Sequence, residues 1–319
     1  MAVMCKFAFI AAILPCALAV AQTTRPVDST WKLVWSDDFS GNTLDRSKWT
    51  FDLGDGYIDP GTHVFVWGWG NSEMEYYTES PNNVYVKDHM LHIRAIRERR
   101  NGSRFTSARL VTRGLFSKLY GRFEFRAKFP LGKGFWPALW LLPADNAYGY
   151  WPCSGEIDVM EARGQQPHTI VGSIIYGSRT PGDEFTSTDY TLPGNGSIGD
   201  FHVYTLEWEP GVMRWYVDEH LYSIKRNWWS CSALDENGKG PVRPADSQRN
   251  PWPAPFDKPF YLVMNLTVGG TFSGYPNKSV VFPQEMLVSY VHVYDKIGGY
   301  ADAPPPGADF GVERKRPDR

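Results

Sequence analysis

The stretch "YGRFEFRAKF", residues 120–129, alternates without a break. Phe123, Phe125, Ala127 and Phe129 fall on one side; Arg122, Glu124, Arg126 and Lys128 fall on the other. A period of two marks a strand with one face buried and one face wet. Similar runs occur at 90–96, 168–176, 201–208, 212–217 and 260–268. Turn formers separate them, as in "PLGKG", "TLPGNGSIGD" and "EPGVMRW". No amphipathic helix of three turns stands out, and no internal repeat. Many strands with almost no helix predict an all-β chain, a β-sandwich or jelly roll.

The 319 residues suffice for one large domain or two small ones, and 42% are hydrophobic, enough for a sizeable core. A formal net charge of −2 favours neither nucleic acid nor a membrane surface as partner. The unusual feature is aromatic content, with 13 Trp, 17 Tyr and 18 Phe. That many indoles suit a sugar-binding surface as well as a core, because they stack on the apolar faces of pyranose rings.

Residues 1–21 read as a secretory signal. Lys6 closes a basic start, an apolar run follows from Phe7 to about Val20, and Ala19-Val20-Ala21 fits a small-x-small cleavage site. The expected mature chain starts near Gln22 and is secreted. Cleavage would remove Cys5 and Cys16 and leave Cys153 and Cys231, which an oxidising compartment would allow to pair. Residues 228–257 form a long loop-like insertion, and the Pro-rich, then charged tail 301–319 reads as disordered.

The chemistry lies in "GEIDVMEARG", residues 155–164, with Glu156, Asp158 and Glu161. On a strand, Glu156 and Asp158 share a face, but strict alternation would turn Glu161 into the core with Ile157 and Val159. A buried, unpaired carboxylate is costly. A β-bulge absorbs one residue and restores the common face, with Met160 as the odd residue. Three acids on one face suit glycosidic bond cleavage, in which retention needs two carboxyl groups about 5–5.5 Å apart. A solvated strand face or a Ca²⁺ site would also use clustered acids. H-E-x-x-H, a Cys/His cluster, G-x-S-x-G and a P-loop are all absent from the sequence.

The residues around the acids give a further reading. "WGWGNSEMEYYT" (67–78), "SARLVTRGLFSKLYGRFEFRAKFP" (107–130), "GKGFWPALWLLP" (132–143), "FHVYTLEWEP" (201–210) and "NLTVGGTFSGYP" (265–276) flank E-[I/L]-D-x-M-E at 156–161. In this order they resemble glycoside hydrolase family 16, in its laminarinase-like, endo-β-1,3-glucanase branch, over residues 31 to 296. The resemblance implies a β-jelly roll of two antiparallel sheets with a concave substrate cleft, and a catalytic domain spanning residues 22–300. It implies Glu156 as nucleophile, Asp158 as its assisting acid and Glu161 as acid/base. It also implies that Asn71, Arg109, Trp136 and Trp140 line the cleft. The expected partner is a β-glucan polysaccharide, met by a monomer without any required cofactor.

Three departures stand out. Ile175, in "SIIYG", replaces a His common in relatives; Cys153 stands where Ala is common; and Ser289 stands where calcium-binding relatives often carry Asp. A structural calcium ion is therefore left open. Sequons occur at Asn101, Asn195, Asn265 and Asn277. Two alternatives accompany the main reading. One is a non-catalytic glucan-recognition protein, against which all three acids stand. The other is a glycanase or transglycosylase of the same family acting on another β-glucan or a galactan. Relatives specialised for mixed-linkage glucan or xyloglucan usually lack the extra residue Met160, and the net charge of −2 gives no sign of the basic cleft a sulfated galactan would prefer; transglycosylation passes through the same covalent intermediate as hydrolysis and is left open.

Overall fold

The computed structural model describes residues 30–311 and 313–315. The expected signal at 1–21 lies outside them. Two eight-stranded sheets carry the fold, and apart from short 3-10 turns the described residues are strand, turn and loop. The back sheet runs in the order His220–Lys225, Val212–Val217, His202–Glu209, Gly121–Lys128, Gln284–Lys296, Met90–Ala95, Val84–Lys87, with Trp31–Asp37 also paired to Gln284–Lys296. The front sheet runs in the order Thr50–Asp52, Arg109–Val111, Phe260–Val268, Phe135–Pro143, Glu156–Ala162, Thr169–Gly177, Asp183–Thr191, Glu313–Lys315. All pairings within these two sheets are antiparallel.

Alternation decides what each strand buries. Phe123, Phe125, Ala127 and Phe129 all enter the core. On the other face Arg122 pairs with Glu124 at 2.6 Å and with Glu207 on the next strand at 2.7 Å. Phe123, Phe125, Ala127 and Phe129 share one core with Leu139, Leu141, Ile157, Leu262 and Met264 of the front sheet. One core between two sheets leaves the outer face of the front sheet free for polar and aromatic side chains.

The tail departs from expectation, since residues 301–310 are ordered. Trp252 Nε1 donates to the Pro304 carbonyl at 2.8 Å, and Asp309 Oδ1 accepts from the Arg226 amide at 2.6 Å. Phe310 and Ile224 exchange backbone hydrogen bonds at 2.8 and 2.9 Å. Prolines fix this segment in extended form without needing ladder donors, so it serves as a strap along the sheet edge. Residues 313–315 then add a strand beside Asp183–Thr191.

Candidate active site

The strand Glu156–Ala162 carries one residue more than either neighbour. Its three steps from Asp158 to Glu161 face two steps from Trp140 to Ala138 on one side and two from Ser173 to Val171 on the other. The expected bulge is present, with Val159 and Met160 sharing the place opposite Gly172. One correction applies. Met160 keeps Leu139 as partner, so against that strand Val159 is the skipped residue. Both side chains enter the core with Ile157 and Ala162. Glu156 and Glu161 are half-buried on the opposite, cleft face, and Asp158 is buried beside them.

Each carboxyl has a neighbour supplied by sheet register or by a loop. Trp136 Nε1 donates to Glu161 Oε1 at 2.9 Å. Trp151, in the loop before the strand, donates from Nε1 to Glu156 Oε2 at 2.7 Å although it is 45% exposed. Trp140 stands opposite Asp158 in register, and its Nε1 donates to Asn265 Oδ1 at 2.7 Å. Asn265 in turn donates to the Tyr77 hydroxyl at 3.1 Å and to Thr267 Oγ1 at 2.9 Å. Tyr77 donates to Glu73 at 3.1 Å, and Asn71 Nδ2 donates to the same carboxyl at 3.2 Å. Asn71 and Trp140 are thus tied into one network under the cleft. Arg109 is buried rather than open to hydroxyls. Its guanidinium lies 4.6 Å from the ring centres of both Trp69 and Trp140 and 3.2 Å from Asp52.

Comparison with known proteins gives the family. The sequence profile of Glycosyl hydrolases family 16 matches residues 65–254. The chain belongs to glycosyl hydrolases family 16. It is 41% identical over 290 residues to glucan endo-1,3-beta-glucosidase A1 of Niallia circulans, which covers 87% of this chain and 40% of that longer protein. It is 40% identical over 276 residues to a beta-glucanase of Rhodothermus marinus, covering 83% of this chain and 85% of that protein. The laminarinase catalytic domain from Thermotoga maritima superposes with a TM-score of 0.68 at 36% identity, covering 83% of this chain and 98% of that domain.

Charge crowding divides the carboxyls of this family 16 enzyme. Burial, then the charges of Glu161 and Glu156, hold Asp158 well above the usual carboxylate range. Asp158 therefore holds its proton to higher pH than an ordinary carboxyl, and the hydrogen bond it shares with Glu156 raises Asp158 and lowers Glu156. Burial also raises Glu156, opposed by the Trp151 N–H, the Arg109 charge and that Asp158 proton. Burial pushes Glu161 up to about 7, against the pull of the Trp136 N–H. Neighbouring carboxyls whose surroundings shift their proton affinities by different amounts supply the division that acid–base chemistry needs. Trp136→Phe removes a donor that favours ionised Glu161. The alkaline limb of kcat/KM should then move up by about one pH unit, since a hydrogen bond to a charged group is worth about 1.5–3 kcal/mol and one unit about 1.4. A limb that stays in place or moves down would refute that role.

Several residues of this family 16 site escape sequence reading. Trp69, Trp151 and Asn265 take part, and burial, then the Asp59 charge, raises the Tyr57 hydroxyl, with the Glu156 charge adding to the rise. "YWP" just before "CSGEID" was the available signal for Trp151. Ile175 stands opposite Glu156 in register, an apolar neighbour for that carboxyl. The expected Cys153–Cys231 disulfide is absent: both are buried free thiols. Burial pushes Cys153 up to about 11, so it packs as a small neutral apolar group. Hydrogen bonds hold the 228–257 insertion beside the carboxylate strand, among them Ser230 Oγ to the Cys153 carbonyl at 2.6 Å, Ser232 Oγ to the Tyr148 carbonyl at 2.8 Å and the Cys231 amide to the Gly177 carbonyl at 3.0 Å. Among the described residues no three His, Cys, Asp or Glu side chains gather as a metal cluster. Asn265 is committed to the cleft network and cannot serve as a glycan acceptor, whereas Asn101, Asn195 and Asn277 are exposed.

Proposed function

We propose that this glycoside hydrolase is a secreted, monomeric endo-β-1,3-glucanase that cleaves laminarin-type chains with retention of configuration. The observation that carries the reading is the bulged strand, which presents Glu156, Asp158 and Glu161 on one face with distinct proton affinities. Ionised Glu156 attacks the anomeric carbon. Protonated Glu161 gives its proton to the departing glycosidic oxygen, so the leaving chain departs as an alcohol. The covalent glycosyl-enzyme is then hydrolysed. Glu161, now ionised, takes a proton from water; the water oxygen bonds to the anomeric carbon, and Glu156 leaves as carboxylate. The Asp158 proton balances charge on Glu156 as its bond to sugar forms and breaks. Half-buried Trp136, beside Glu161, offers an indole face to the sugar.

The β-1,3 assignment draws on the relatives named above and on the extra residue at the bulge. Product analysis on laminarin, curdlan, lichenan and agarose tests it, with the anomer released first read by NMR. Oligosaccharides from laminarin in the β-configuration are expected. Release of α-anomers would overturn retention, and cleavage of agarose or lichenan without laminarin would overturn the substrate. Secretion is tested by N-terminal sequencing of exported protein, with Gln22 expected first.

A further inference from the structure

We propose that Trp215 is a positioning residue for catalysis: its indole N–H, laid over Gly172, fixes in place the bulge that aims Asp158 and Glu161 into the cleft. Trp215 belongs to the back-sheet strand Val212–Val217 and is fully buried. It crosses the sandwich and donates from Nε1 to the Asp158 carbonyl at 2.9 Å. That carbonyl stands where the register shifts against both neighbouring strands. A bulge disrupts the ladder locally, and a buried carbonyl there needs a donor from elsewhere.

Gly172 makes the approach feasible. A Cβ there would lie 2.7 Å from Trp215 Cδ1, 3.0 Å from its Nε1 and 2.5 Å from the Tyr222 hydroxyl. The residue facing the bulge has no side chain because the indole occupies that space. The location of the bulge matters more than its existence. A slip of one residue along the strand would reverse which side chains face the core. An uninterrupted strand offers no other marker between Asp158 and Glu161. The Trp215 donor fastens one carbonyl, and thereby selects one bulge position.

This rests on the carboxylate roles proposed above. The test compares Trp215→Phe with the wild type on laminarin, well below melting, with folding checked by circular dichroism. The Phe ring keeps most of the packing and loses the N–H. We expect kcat to fall by about tenfold to a hundredfold, the scale of an ångström-sized misplacement, with KM within about twofold. Deleting Met160 removes the bulge, and in that background Trp215→Phe should cost less than about twofold further in kcat. A purely structural Trp215 would lower the melting temperature and leave kcat unchanged, which would overturn the proposal, as would an equal loss in both backgrounds. Should Trp215→Phe fail to fold, Gly172→Ala with Tyr222→Phe displaces the indole instead. The Tyr222 hydroxyl is buried without a hydrogen-bond partner among the described residues, so its removal is tolerable. The same drop in kcat supports the proposal, and an unchanged kcat overturns it. Turnover by Glu156→Gln would refute the carboxylate roles themselves. An inactive Glu156→Gln beside an unaffected Trp215→Phe refutes only the role of Trp215.

Discussion

Glu156→Gln is expected to lower kcat on laminarin by about 10⁴-fold or more, the scale seen when a covalent nucleophile is removed, while oligosaccharide binding stays near normal. The amide keeps the size of the carboxyl and still accepts from Trp151, whose Nε1 lies 2.7 Å away. Affinity resides in groups the substitution leaves alone, including Trp136 and the network from Asn71 to Trp140. Stability should not suffer. Burial raises Glu156 in the folded state, so its contribution is fully present below its unfolded pKa and is lost as pH rises through the folded one. At neutral pH the amide removes that penalty, and the melting temperature should hold or rise. Isothermal titration with a laminarin oligosaccharide, paired with a reducing-sugar assay, separates binding from turnover. Hydrolysis near the wild-type rate would remove Glu156 from the nucleophile's role.

The parts of this architecture that are legible in sequence are those decided by near neighbours. The alternation over 121–128 announces its strand because one face is packed and the other is wet. The run 260–268, apolar except for Asn265 and Thr267, is buried on both faces and is found by its length and turn boundaries. Phe135–Pro143 is harder, because Pro137 interrupts it. That proline lies just outside the Ala138–Leu141 register with the carboxylate strand and is tolerated there. The tail misleads for the opposite reason. Its composition is that of an unstructured segment, but its partners Trp252, Arg226 and Ile224 lie far away in the chain. The site divides in the same way. Three acids within one strand declare themselves through spacing. The Trp69–Arg109–Trp140 sandwich does not, since three separate segments must meet before the stack exists. The two cysteines show that chemistry permitted by a compartment is not chemistry required by the fold.

Removal of residues from the bulge should separate register from composition. Without Met160 the strand reads "EIDVEA", and three steps against two become two against two on both sides. Asp158 keeps Trp140 and Ser173 opposite it, Glu161 keeps Ala138 and Val171, and Val159 faces Leu139 and Gly172 in an ordinary ladder. The core loses a buried Met, and truncation of a buried Met to Ala costs about 2–5 kcal/mol. Folded domains hold about 5–15 kcal/mol in all, so a destabilised but folded protein is expected. Its carboxyl at Glu161 is aimed differently, and kcat should fall by about tenfold to a hundredfold. Removing Val159 as well leaves "EIDEA". Glu161 then takes the place facing Leu139 and Gly172, on the core side beneath Trp215. A carboxylate there has no partner and costs several kcal/mol, about 3–5 when a buried charge is left uncompensated. That variant should either fail to fold or fold without activity. Circular dichroism and thermal melts of both deletions come before any assay. If the double deletion folds and hydrolyses laminarin faster than the single deletion, the bulge does not set the direction of Glu161.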